Sequence, residues 1–135
     1  MNEPTKAFLH CSATPDSGDL IGVNQIREWH LRRGWKDVGY HYLIRRSGVL
    51  EKGRADNVQG AHTLGHNRNS LGVCLIGTKD FTQQQIITLT TLMKELYEKY
   101  QITDEDWYCH YQFANKRCPN IPVEVVRHIV ARAIW

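Results

Sequence analysis

At 135 residues, with 41% apolar and 23% charged side chains, the chain has the length and composition of one globular domain with a sizeable core. Seventeen basic and 14 acidic residues leave a formal charge of +3. That is too mild to argue for nucleic acid, since the basic residues fall in short pairs such as Arg32-Arg33 and Arg45-Arg46 with few aromatics between them.

No apolar run approaches the roughly 20 residues of a membrane span. The start, MNEPTKAFLHCS, lacks a basic segment followed by an apolar one, so no secretory signal is expected and the protein is expected in the cytoplasm when made. The four cysteines, Cys11, Cys74, Cys109 and Cys118, are expected as thiols, because disulfide scaffolds belong to small secreted chains. They contain no C-x-x-C pair, which excludes a closed four-cysteine zinc site.

In chain order, AFLHCS reads as a short strand ended by the turn residues ATPDSGD. Val23, Ile26, Trp29 and His30 recur at helical spacing up to about Arg33, with Gly34 as a stop. GYHYLIRRSGVLEKG predicts a hairpin around Ser47-Gly48, with Tyr40 and Tyr42 on one face and His41 on the other. After the polar connection NVQGAHTLGHNRNS, the run LGVCLIG suits a strand covered on both faces, and Cys74 within it reads as a small buried hydrophobe.

Thr82 followed by Gln85 predicts a capping box opening a helix with Ile86, Leu89, Met93 and Leu96 on one side. DWYCH reads as a last short strand, and Pro122 opens a helix through Val125, Val126, Ile129 and Val130. The sum is an α/β fold: a single domain over residues 1–135, with a central mixed sheet flanked by helices.

Three side chains could serve a metal. His10 stands near the end of the first strand, His110 follows the last, and Cys118 lies eight residues further on. Two imidazoles and a thiolate would leave one of four zinc positions open, as a catalytic site requires. Lys116, two residues before Cys118, could restore electrophilicity that the thiolate removes. On spacing alone each has an ordinary alternative: a hydrogen-bonded core histidine, a buried thiol, a solvated lysine. Tyr40 alone reads as a core aromatic with its hydroxyl at the rim, and His30 and His128 as structural or exposed helix residues.

The stretches FLHCSAT, IREWHLRRGWKDVGYHYLI, GAHTLGHNRNSLGVCLIG and the final H…K-x-C-P occur in that order from about Phe8 to Pro119. Together they resemble the zinc-dependent N-acetylmuramoyl-L-alanine amidases, above all the short phage enzymes misnamed lysozymes, with the animal peptidoglycan recognition proteins as more distant relatives. The resemblance implies one catalytic Zn2+ held by His10, His110 and Cys118, with Tyr40 and Lys116 catalytic. His62 would line the substrate groove by the same resemblance, and Asn67 in that polar loop is either a further substrate contact or an ordinary loop hydrogen-bonding residue.

The activity it implies is endolysin-type hydrolysis of the amide joining N-acetylmuramic acid to L-alanine in peptidoglycan. This would be the work of a monomer that reaches the wall after release from the cytoplasm. Relatives often carry an acidic residue where Gln112 stands, two places after the second histidine; an amide there accepts a hydrogen bond but brings no charge. A glycosidase is disfavoured, because it needs two paired carboxylates and the cluster has none. The alternatives on the same fold are a module that binds peptidoglycan without cutting it and a regulator acting by protein contact, in which a zinc would be structural and carry a fourth protein ligand.

Overall fold

The computed structural model describes residues Met1–Trp135. Its first strand, β1 (Lys6–Cys11), is paired on both sides, which gives a functional side chain on it a firmly held backbone. Its parallel neighbours are β4 (Ser70–Leu75) and β5 (Trp107–Cys109). Beyond β4 come β2 (Tyr42–Ile44), parallel to it, and β3 (Leu50–Lys52), antiparallel to β2, so the sheet runs β3-β2-β4-β1-β5. Three helices cover it: α1 (Val23–Arg32), α2 (Gln83–Tyr100) and α3 (Val123–Ile134). None is long and apolar enough to cross a membrane.

Alternation along the strands gives the sheet two different faces. Ala7 and Leu9 of β1, with Leu71, Val73 and Leu75 of β4, point into a 17-residue core closed by Leu89, Leu92, Met93 and Leu96 of α2 and Val123, Val126 and Val130 of α3. Each such buried aliphatic side chain contributes roughly 1.5–3 kcal/mol. The expected capping box starts α2: Thr82 Oγ1 accepts from Gln85 N at 3.1 Å and Gln85 Oε1 accepts from Thr82 N at 2.9 Å. Gln85 is itself buried and donates to the carbonyls of Ile44 and Ile76, so it ties the helix start to two strand ends.

The opposite face carries a smaller cluster of Val23, Ile26, Val38, Leu43, Cys74 and Ile76 under α1. Next to it lie Phe8 and His10, both fully buried.

The elements fall where the hydrophobic pattern predicts, and all four cysteines are free thiols. One placement differs. β2 begins only at Tyr42, so strand alternation does not reach Tyr40. Tyr42 joins the helix-backed core, whereas Tyr40 packs against the smaller cluster on the other face.

Candidate metal centre and its groove

Three pieces of backbone meet at the end of β1. His10 is held within the strand. His110 opens a 3-10 turn (His110–Gln112) directly after β5, and the amide side chain of Gln112 secures that turn by accepting from Cys109 N at 2.8 Å. The position read as a departure therefore has a local task that needs an acceptor and no charge. The following loop returns through Tyr111 N to Cys118 O (2.9 Å), and Cys118 Sγ accepts from Cys11 N at 3.1 Å, which fastens the loop to the strand end.

The candidate ligand atoms of His10, His110 and Cys118 lie within 4.8 Å of one another, and no fourth His, Cys, Asp or Glu joins them. The donor set fits a zinc ion, and a separate observation says so. His10 Nδ1 is buried without any hydrogen-bond partner, an arrangement that is costly unless a further group completes it. The other such atom, Trp107 Nε1, belongs to a residue of the apolar core.

Electrostatics agree with two neutral imidazoles. Burial, reinforced by His62, His110 and Lys116, holds His10 well below the ordinary histidine value. Burial and then Lys116 lower His110. The hydrogen bond with the Cys11 thiol, followed by burial, pushes the Cys118 thiol up in the metal-free protein; a coordinated cation reverses that, since a ligating thiol is deprotonated outright.

Two hollows meet over the cluster. One, about 430 Å3, runs toward α1 past Trp29, Cys11 and Cys118; the other, about 360 Å3, runs past Trp35 and the loop carrying Leu64 and Asn67. His30, Arg33, Tyr40, His110 and Lys116 line both, so the two form one continuous groove with His110 on its wall; Cys118 lines the first hollow, and His10 is fully buried. A larger open depression of about 790 Å3 on the outside of the Tyr111–Pro122 loop contains none of the three ligands.

The structure brings His10, Tyr40, His110, Lys116 and Cys118 together. Tyr40 lies with its ring 5.1 Å from that of His10, and burial, with the nearby cysteines, raises its hydroxyl well above the ordinary value. Lys116 is exposed on the groove wall.

The two loop residues sit less simply. Asn67 borders the groove, but its Oδ1 accepts from His62 N and Thr63 N, both at 2.9 Å, leaving its Nδ2 amide for anything beyond the loop. His62 was expected to touch substrate. It lines the second hollow but is buried, with Nδ1 facing His10 Nε2 at 3.0 Å and Nε2 facing Ser70 Oγ at 3.2 Å, so both ring nitrogens are engaged within the protein.

The groove position of two α1 residues was not legible beforehand. His30 is structural, as the sequence suggests, buried and accepting from Gly39 N at 2.8 Å, and it also borders both hollows. Its placement beside Trp29 on one helix turn was the available signal. Trp29 itself, expected in the core by periodicity, is 39% exposed in the groove.

Residues 1–121 match the family model described as N-acetylmuramoyl-L-alanine amidase. The chain is 42% identical over 130 residues to the endolysin of Klebsiella phage KP32, an alignment covering 90% of this chain and 84% of that protein. It superposes on the N-acetylmuramoyl-L-alanine amidase LysC from Clostridium intestinale with a TM-score of 0.83 and 30% identity, covering 94% of this chain and 85% of that one. It also superposes on peptidoglycan recognition protein-LE in complex with tracheal cytotoxin, a monomeric diaminopimelic acid-type peptidoglycan. There the TM-score is 0.81 at 28% identity, with 95% and 82% covered.

Proposed function

The chain belongs to the N-acetylmuramoyl-L-alanine amidase family, and from that premise we propose a zinc-dependent amidase in which His10, His110 and Cys118 hold the metal. The reaction is hydrolysis of the peptidoglycan amide between the lactyl group of N-acetylmuramic acid and L-alanine. The observation that carries the metal is the buried, unpartnered Nδ1 of His10 beside His110 and Cys118. A set of three protein ligands favours a catalytic over a structural ion.

When bound, zinc supplies a Lewis acid that polarises a carbonyl and brings the pKa of coordinated water to about 7. The protein groups do the rest. Cys11 N–H, donating to Cys118 Sγ, stabilises a thiolate there. Lys116 Nζ, on the groove wall beside His110, meets the negative charge that develops on the carbonyl oxygen.

Tyr40 Oη keeps its proton at neutral pH and donates a hydrogen bond to the reacting centre. The Nδ2 amide of Asn67 is the polar group that its loop turns to substrate. The complex of the recognition protein with tracheal cytotoxin supports the assignment of the groove to a muropeptide. The enzyme is read as a monomer that reaches the wall after release from the cytoplasm.

Zinc analysis of loaded and desalted protein tests the reading. Equimolar zinc is expected in the parent and none in His10→Ala. Equimolar zinc in a folded His10→Ala would overturn it.

A further inference from the structure

His62 is the one buried histidine in contact with the ligand set that the mechanism does not use. His10 Nε2, the ring nitrogen opposite the unpartnered one, lies 3.0 Å from His62 Nδ1 and 3.2 Å from Thr63 Oγ1. The two rings meet nearly at right angles, at 85° with centroids 5.0 Å apart. On its far side His62 Nε2 lies 3.2 Å from Ser70 Oγ, and Ser70 Oγ donates to the carbonyls of His66 at 2.9 Å and Asn67 at 3.0 Å.

Donor and acceptor bookkeeping favours one direction through this chain, the one in which the Ser70 hydroxyl keeps its two backbone carbonyl partners. A carbonyl only accepts, so the Ser70 hydroxyl proton points to the backbone and its oxygen is free to accept from His62 Nε2–H. A neutral imidazole with its proton on Nε2 presents a lone pair at Nδ1. That lone pair receives the proton of His10 Nε2–H, with Thr63 Oγ1 within reach of both rings. His10 is then left with a bare lone pair at Nδ1.

We propose that His62 and Ser70 form a one-way hydrogen-bond relay, anchored on backbone carbonyls, that fixes His10 as its Nε2–H tautomer and so presents Nδ1 as the metal-binding atom. The inference rests on the metal reading above and assigns His62 and Ser70 as positioning residues.

The packing around His62 is built for this orientation. A β-carbon at Gly72 would stand 2.6 Å from His62 Cγ, and one at Gly60 would stand 2.7 Å from His62 Cδ2. Two glycines thus leave the slot the ring occupies. Gly72 pairs with Phe8 in the sheet register, two residues before His10, so the slot lies beside the ligand strand. Gly72 N in turn donates to Nδ1 of buried His41, whose Nε2 donates to Val58 O at 2.7 Å.

Nitrogen and carbon NMR shifts of the His10 ring in metal-free protein, with zinc affinity by chelator competition, test the relay. The parent is expected to carry the His10 proton on Nε2. His62→Leu should lower zinc affinity about 10–100-fold, the usual effect of losing a partner behind a metal ligand. His62→Asn, whose side-chain oxygen falls near the Nδ1 position, should restore most of it, a rescue that packing alone would not give. Ser70→Ala should shift His62 toward the other tautomer and lower affinity less.

A His10 proton on Nδ1 in the parent, or parent-like affinity in a folded His62→Leu, overturns the relay. Should His62→Leu fail to fold, the parent tautomer and Ser70→Ala still decide. A parent that binds no zinc while keeping the Nε2 proton supports the relay and sinks the metal reading instead.

Discussion

Along β1, alternate residues serve opposite ends. Ala7 and Leu9 pack against α2 and α3 in a large apolar core, while one residue along, Phe8 and His10 face the His62 ring in its glycine slot. Both sides are tightly packed, yet only one carries chemistry. The helix-backed face gains its stability from non-directional burial, which tolerates exchange of one aliphatic residue for another of like volume. The His10 face is held by hydrogen bonds whose donors and acceptors must match, so small changes there disable function before they unfold the chain. Stability and activity are thus separable along a single strand.

The largest expected effect that would break this contrast lies at the ligands. Cys118→Ala should lose zinc and amidase activity together while melting near the parent; a variant that keeps either would contradict the division. Next, Lys116→Ala should retain zinc and lose about 10²–10³-fold in kcat, the usual effect of removing one oxyanion donor. Equal activity in variant and parent removes Lys116 from the mechanism.

On the other face, Leu89→Ala, at a fully buried site of α2, should cost about 2–5 kcal/mol of stability in urea titrations. Activity per folded molecule should stay unchanged.

A smaller effect with a pH signature is expected at Asp56. It accepts from Tyr42 Oη at 2.9 Å and Tyr100 Oη at 2.6 Å and pairs with Lys52, joining β2 and β3 to the end of α2. Burial alone would raise its carboxyl, but the hydrogen bonds from Lys52, Tyr100 and Tyr42 outweigh it and hold the group below the ordinary 3.8. A carboxyl depressed in the folded state stabilises above its unfolded pKa, and that contribution fades as pH falls through the folded one. Asp56→Asn should therefore be less stable by about 1.5 kcal/mol at pH 7. The gap should close below pH 3.8; a gap constant from pH 7 to pH 2 would contradict the assignment.

How much could be read in the sequence follows the same division. The helix-backed face was legible because burial leaves a periodic trace: the Leu89, Met93, Leu96 spacing and the Thr82–Gln85 box both reappear as α2 and its cap. The candidate ligand set came from motif resemblance, not from spacing. Tyr40 and Tyr42 were placed on one face because strand periodicity was carried two residues too far; backbone that turns before a strand leaves no periodic mark. The place of His62 was hidden for a different reason. Which way an imidazole is turned depends on space left by Gly60 and Gly72 and on Ser70, contacts set by tertiary packing. Gln112 looked like a lost charge because its capping of Cys109 N appears only once the 3-10 turn exists.

In the proposed reaction the muramoyl–alanine amide is cut with zinc held by His10, His110 and Cys118. Mass spectrometry of the soluble products from purified peptidoglycan, digested before chelation, after it and after zinc is restored, tests it most directly. The expected result is stem peptide with a free L-alanine amino group, absent after chelation and regained with zinc. Undiminished peptide release from the chelated protein, or products cut between sugars instead, would contradict the account.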